Sequence, residues 1–431
     1  MKPIQIPFQM LKTAAFILCL ATMGGSLFAG SDTTNGRDNQ PLPTLTNPLL
    51  PLISAKQALA DKGVKLTFSY ISDTFSNLSG GYKQGTAYKG SLLIGVGLDL
   101  DKLLAWKGGS FYASILYPHG TSISDSYVHD FNGISNIDNG SNLRLYEWWF
   151  QQSLNNDKVS LRIGMLAADL EFFVSDYSSL FINSAFGNPP LIDRQNFSAP
   201  FIPNTAPGIR LRINATPSLS FLAGIFSGDT GDAYGNNKHG LRISFDGNDG
   251  ALAMFEADYR VNQQDKSEGL AGTYKLCGFC QTADFPNNSS LRSEHGDCGC
   301  CVIVDQQILA TDKGDKTKGL GVFSHIGAAP ADRNPVSFYC DAGLNCKGLI
   351  PTRDKDICGI GISFTKISDE LRDPSGLPVQ SHHETIIEAT YQAVINDWLS
   401  FQPDLQYIIN PGATSPARNA TVAGARFTLS F

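Results

Sequence analysis

The stretch Thr421–Phe431, TVAGARFTLSF, decides how the rest of the chain is read. Successive side chains of a strand point to opposite sides. Taken in alternation, Ala423, Ala425, Phe427, Leu429 and Phe431 fall on one face, and Val422, Gly424, Arg426, Thr428 and Ser430 on the other. One face suits lipid and the other suits water. Soluble sheets alternate as well, but a strand of this kind that closes on an aromatic residue is a common ending of bacterial outer-membrane barrels. Such a barrel requires strands of about ten residues, an even count and a polar interior.

The opposite end of the chain fits export. Met1–Ala29 carries Lys2 and Lys12, an apolar core from Ala14 to Met23, and small residues before Gly30, the pattern of a cleaved secretory signal that takes Cys19 with it. No other stretch supplies the ~20 continuous apolar residues of a spanning helix, so membrane entry is expected through strands. The formal net charge of -7 lacks the concentrated basic charge of a nucleic-acid binder, and 42 Gly with 10% aromatic residues suits a large β protein. No nucleic-acid partner is expected.

Ser31–Leu52, rich in Asn, Thr, Pro and Asp, reads as a flexible leader. Ile53–Lys62 reads as a short helix with Ser54 as N-cap and Gly63 just past its end. The expected division is therefore signal (1–29), leader and short periplasmic helix (30–62), and barrel (63–431). Strand-like segments separated by Gly, Asn, Asp and Pro follow: Leu66–Phe75, Ser91–Leu100, Ser110–Tyr117, Leu143–Ser153, Lys158–Met165, Gly208–Asn214, Leu219–Phe226, Leu241–Phe245, Ala251–Tyr259, Gly272–Phe279, Cys301–Leu309, Gly319–Ile326, Val336–Asp341, Ile357–Thr365, Thr385–Ile395, Leu399–Ile409 and the closing strand.

These seventeen segments are one too many for an even barrel. Outer-membrane barrels have short periplasmic turns and long outer loops. Counting back from a periplasmic C-terminus places Asn396-Asp397 inside, and counting forward places Asn155-Asn156-Asp157 and Ala215–Ser218 inside. The two counts agree only if Leu241–Phe245 belongs to an outer loop. The expected fold is therefore all-β, a 16-stranded antiparallel transmembrane β-barrel. Its facing residues predict a wet interior: Val159, Leu161, Ile163 and Met165 oppose Ser160 and Arg162; Ile209, Leu211 and Ile213 oppose Arg210 and Arg212; Leu399, Phe401, Leu405, Tyr407 and Ile409 oppose Ser400, Gln402, Asp404 and Gln406.

Leu166–Pro207 is too long for a slack loop and too apolar for an ordinary outer one, with Phe172, Phe173, Tyr177, Leu180, Phe181, Phe186, Phe197 and Phe201 among Glu171, Asp176, Asp193 and Arg194. It is expected to fold into the lumen and narrow it. Aromatic rings beside charged groups suit sugars, since rings stack on the C–H faces of a pyranose while Arg and carboxylates exchange hydrogen bonds with hydroxyls. The bland counterpart is that each ring simply packs the loop against the wall.

RLYEWWF (Arg144–Phe150), RIGMLAADLEFFVSDYSSLFINSAFGNP (Arg162–Pro189), APGIRLRI (Ala206–Ile213), VDQQ (Val304–Gln307), GLGVF (Gly319–Phe323) and GLI (Gly348–Ile350) occur in an order that resembles the OprB family of carbohydrate-selective porins. The similarity runs from about Ile53 to Phe431. It implies a sixteen-stranded outer-membrane barrel passing mono- and small oligosaccharides downhill. Its inward Arg and acidic side chains and infolded loop would form the narrow zone, with Arg162, Glu171, Asp176, Arg194, Arg210, Arg212, Phe172 and Phe173 as candidates. Outer-membrane lipid and the assembly machinery are the expected surroundings, as a homotrimer or a monomer, without a cofactor. The class set against it is a closed structural or adhesive barrel whose cysteine-rich surface loop binds a partner. An outer-membrane lipase is disfavoured, since no Gly-x-Ser-x-Gly elbow is present.

Cysteine is the departure from the family: Cys277, Cys280, Cys298, Cys300 and Cys301, then Cys340, Cys346 and Cys358. In an exported chain disulfides are chemically accessible. Cys277-x2-Cys280 and Cys298-x2-Cys301 match a zinc-ribbon spacing, but residues three apart on a strand point to opposite faces. A disulfide clamp across a Gln281–Asp297 outer loop is the preferred reading, with reduced thiols or a metal left open. Cys340, Cys346 and Cys358 bracket a periplasmic turn and are candidates to pair among themselves. His382-His383-Glu384, and Asp229 with Asp232, are weak metal and calcium candidates.

Overall fold

The computed structural model describes residues 50–431, except 193–195, 234, 245–248, 265–266, 268, 291, 313–314, 316, 372–381 and 414–417. The expected signal and nearly all of the leader lie outside the described residues. The helix α1 spans Leu50–Asp61, so it starts four residues before Ser54, which lies inside it and is not its N-cap. Pro51 explains the difference: its fixed φ and missing N–H suit the first turn of a helix. Gly63, at φ 94°, ends it.

Sixteen strands follow: β1 (Val64–Gly81), β2 (Gly85–Asp99), β3 (Gly109–Gly120), β4 (Arg144–Leu154), β5 (Val159–Leu166), β6 (Ala206–Thr216), β7 (Leu219–Ser227), β8 (Ala251–Val261), β9 (Gly272–Pro286), β10 (Ser293–Ala310), β11 (Gly319–Ala328), β12 (Val336–Lys347), β13 (Ile357–Ile367), β14 (His383–Asn396), β15 (Leu399–Ile409) and β16 (Arg418–Ser430). A short helix, α2 (Leu100–Leu104), joins β2 to β3. Each strand pairs antiparallel with its sequence neighbours, and β16 returns to β1, closing the barrel. Closure matters because an open edge would leave backbone polar groups unpaired in hydrocarbon.

The residue expected to mark the closing strand completes that seam. Phe431 N–H donates to Phe68 O at 3.0 Å, Phe68 N–H donates to Phe431 O at 3.0 Å, and the two rings stack with centroids 5.1 Å apart. The turns at this rim are tight. Asn155, Asn156 and Asp157 take φ values of 53°, 55° and 62°, a conformation that Asn and Asp tolerate better than other non-glycine residues.

The face assignments hold in detail. Leu161, Ile163, Ile209, Leu405 and Tyr407 are exposed on the outer wall, while Ser160, Arg210, Gln402, Asp404 and Gln406 are turned inward and buried. Leu241–Ser244 lies outside the strands, in the β7–β8 connection, and Phe245 lies outside the described residues. Two readings need correction. The Gln281–Asp297 stretch is mostly strand, because β9 and β10 continue upward and leave only 287–292 as the connection. The polar inner face of β14–β16 is also not simply wet: Gln402 and Gln406 donate to the infolded loops at Leu180 O and Ile134 O, and Asp404 is buried between them, accepting from Gln406.

Candidate constriction

Among the described residues, two connections fold inward. The first, 167–205, carries the Phe-rich segment and follows β5. Its aromatic rings need room, and the strands provide it with glycines on the inner face. A Cβ at Gly321 would come within 2.5 Å of the Tyr177 ring, and one at Gly361 within 2.8 Å of the Phe186 ring. Phe181 stacks obliquely on Phe186 and Phe323 at 4.7 and 5.2 Å.

Packing alone leaves the loop backbone unsatisfied inside the barrel, and unpaired buried N–H groups are costly. Carboxylates on the inner face of the strands meet that need in sequence order around the wall. Glu147 of β4 accepts from Ala167 N–H at 3.3 Å, and Glu256 of β8 accepts from Phe173 N–H at 2.5 Å. Asp305 of β10 accepts from Ser175 Oγ at 2.5 Å, Asp176 N–H at 2.9 Å and Tyr177 N–H at 3.4 Å. Glu388 of β14 accepts from Ile182 N–H at 2.7 Å and Asn183 N–H at 3.0 Å.

The second infolded connection, 121–143, is fixed in the same way, by Glu384 of β14. It accepts from Phe131 N–H at 2.7 Å, Asn132 N–H at 3.0 Å and Asn132 Nδ2 at 2.7 Å. Arg426 donates to Asp73 through Nε and Nη2, both at 2.8 Å, and to Asn136 Oδ1 at 2.7 Å. The two loops then bond to each other, Asn136 N–H to Ile182 O at 2.9 Å and Ser184 N–H to Gly133 O at 3.0 Å.

What remains between loop and wall is a cationic cluster. Glu171, at the start of the first loop, is met by three arginines from β5 and β6. Arg162 pairs with Oε1, Arg210 Nε lies 2.7 Å from Oε2, and Arg212 Nη2 lies 3.6 Å from Oε2. Arg210 also donates to Gln151 Oε1 at 2.9 Å and Ser160 Oγ at 2.7 Å, and Arg162 Nε donates to Gln151 Oε1 at 3.1 Å. The Arg162 guanidinium lies 3.9 Å from the ring centroid of Trp149, which stacks with Tyr112 at 5.4 Å. Arg212 keeps 29% of its side chain exposed and Arg162 18%, against 4% for Arg210, so the first two face the open space and the third braces them.

Residues 83–431 match the Carbohydrate-selective porin, OprB family. The chain belongs to that family. Porin B of Pseudomonas aeruginosa is 25% identical over 413 residues, covering 86% of this chain and 88% of that one. Putative porin QuiX of Acinetobacter baylyi is 22% identical, with 87% and 91% covered. Among solved structures, the high-pH structure of Pseudomonas putida OprB superposes with a TM-score of 0.79 at 25% identity, covering 88% of this chain and 97% of that one. The chain is thus a carbohydrate-selective porin of the Gram-negative outer membrane, and the rim bearing both ends of the strand series is periplasmic.

Of the residues singled out from the sequence, this porin brings Arg162, Glu171, Arg210 and Arg212 together. Asp176 is exposed on the part of the loop held by Asp305, and Arg194 lies outside the described residues. Phe172 and Phe173 are corrected from candidate solute contacts to packing. Each is 1% exposed, in a cluster with Phe226, Leu252 and Met254, because rings at the loop's root have the barrel wall to cover. Trp149, Tyr112 and Gln151 were missed. The signal for Trp149 and Gln151 was their inward parity with Glu147 on β4.

Cys280 and Cys298 are joined by a disulfide across β9 and β10, with both residues on the outer side of the wall. Cys277 and Cys301 are buried on the inner side, which separates the residues of the zinc-ribbon spacing. The His-His-Glu stretch separates too: His383 stacks on Phe364 at 5.3 Å while Glu384 holds the second loop. Asp229 pairs with Arg242 at 2.6 Å, and Asp232 N–H is taken by Asn236.

Proposed function

We propose that the Arg162–Arg210–Arg212–Glu171 cluster, with Trp149 and Tyr112 beside it, is the zone that selects monosaccharides and related small solutes during passive diffusion. The observation that carries this reading is the convergence of three guanidinium groups on one loop carboxylate, next to an aromatic pair. A sugar entering a narrow zone gives up water. Guanidinium N–H groups and Glu171 replace those hydrogen bonds, and the aromatic pair offers a surface for C–H faces. Selection of this kind must stay weak enough for release. The cluster is built within one chain, so the reading is the same for a homotrimer or a monomer.

Arg210→Ala tests it in planar bilayers. Arg210 makes several charge-assisted bonds, each worth about 1.5–3 kcal/mol, so its loss lets Glu171 and Gln151 shift. Block by glucose is expected to weaken about tenfold, the equivalent of ~1.4 kcal/mol, and anion preference to fall as one positive charge is removed. Glu171→Ala is expected to raise anion preference instead. Unchanged block and unchanged reversal potential in both variants would move the selecting zone elsewhere.

A further inference from the structure

Six of the cysteines in the strands form three directly opposed pairs: Cys280 with Cys298, Cys277 with Cys301, and Cys346 with Cys358. The first pair is bonded. The other two differ in surroundings. Cys277 and Cys301 are buried against the first loop, in the cluster that holds Phe172 and Phe173, and Cys277 Sγ donates to Glu256 at 3.7 Å. Cys346 and Cys358 are half-buried on the outer side of the wall, beside the periplasmic connection 348–356.

We propose that Cys346 and Cys358 form a second disulfide in the exported protein, stapling the periplasmic end of β12 to β13. The backbone already holds them in place. Gly348 N–H donates to Asp356 O at 2.9 Å, and counting two residues along each strand makes Cys346 and Cys358 a hydrogen-bonded pair. The Cα atoms of such a pair lie about 5.5 Å apart, within the range that disulfides span. Cys340 is also on the outer side, but it faces Phe364 on β13 and Ile326 on β11, so neither cysteine lies opposite it.

The chemistry balances with a periplasmic dithiol–disulfide oxidant. A thiolate of one cysteine attacks the oxidant's disulfide and expels one of its sulfurs. The second cysteine then attacks the mixed disulfide. One S–S bond forms in the porin and the oxidant's S–S bond breaks; the oxidant's two sulfurs take the two electrons and the two protons lost by the porin's thiols, and it leaves as a dithiol. The half-exposed rim position gives an oxidant access that Cys277 and Cys301 lack.

The staple lies one residue from two seats of the first loop. Asn345 Nδ2 donates to Tyr177 O at 3.0 Å, and the Gly359 backbone packs so closely on Leu180 that an added Cβ would come within 2.8 Å of it. Linking Cys346 to Cys358 therefore pins the stretch of wall on which the loop tip rests.

The test uses full-length porin in isolated outer membranes, treated with N-ethylmaleimide before unfolding and digested without reductant. In wild type and in Cys340→Ser, the peptides carrying Cys346 and Cys358 are expected to appear joined, lighter by two hydrogens than their sum, and to separate on reduction. In Cys346→Ser, Cys358 is expected to change from unreactive to fully maleimide-labelled in the denatured chain. Maleimide on both cysteines of the wild type, a link from Cys340 to either, or equal Cys358 labelling in wild type and Cys346→Ser would overturn the proposal.

Discussion

Replacing Asp305 and Glu388 together by alanine is expected to raise single-channel conductance severalfold and abolish sugar block, while the barrel still assembles. These two side chains take five hydrogen bonds from the infolded loop, from Ser175, Asp176, Tyr177, Ile182 and Asn183. A hydrogen bond to a charged group is worth about 1.5–3 kcal/mol, and donors left buried and unpaired add a penalty of similar size. The apolar seat of Phe181 and Phe186 against Phe323 remains. It does not satisfy backbone N–H groups, so water must enter beneath the loop. The strand ladder is unaffected because both carboxylates project inward, and heat-modified migration on gels should match the wild type. Conductance unchanged in the double variant would mean that packing alone holds the loop.

The second large effect is at Trp149. Trp149→Ala removes the ring on which the Arg162 guanidinium lies, at 3.9 Å, and the partner on which Tyr112 stacks, at 5.4 Å. A cation–π contact contributes about 0.5–2 kcal/mol depending on its desolvation, and an aromatic pair about 0.5–1.5 kcal/mol beyond its buried area. Glucose block measured from current noise should weaken at least about tenfold, or ~1.4 kcal/mol, while conductance without sugar rises modestly as the opening widens. Trp149→Phe should recover part of the block. Block equal to wild type in Trp149→Ala would remove the aromatic pair from the selecting surface.

The barrel was legible in the sequence because parity is a local property: Arg210 and Arg212 alternate with Ile209, Leu211 and Ile213, whatever the neighbouring strand. The strand count followed from loop lengths. The Phe-rich loop was legible because its composition contradicts exposure to water. The second infolded connection was not, since its Ser, Asn, Asp and Gly residues read as an ordinary wet loop. What draws it inward is Glu384, which is 253 and 252 residues away from the N–H donors of Phe131 and Asn132. Phe172 and Phe173 show the same limit from the other side. Their ring chemistry suits a sugar, but only the three-dimensional position of Phe226, Leu252 and Met254 shows that the rings are already covered. Of the inward acidic residues only Asp404 was named from the sequence as part of a polar face; the role of Glu256, Asp305, Glu384 and Glu388 as acceptors for distant loops depended on closure of the barrel.

The constriction of this hydrated barrel is expected to pass small sugars in preference to other solutes of the same size. Liposome swelling with the purified porin tests it most directly, comparing a hexose with an uncharged or zwitterionic solute of matched size that lacks the ring of hydroxyls. Faster swelling in the hexose, with the difference reduced in Arg210→Ala and Trp149→Ala, is the predicted result. Equal rates for both solutes would contradict selection at the arginine–tryptophan cluster, and no swelling in either would contradict the open channel itself.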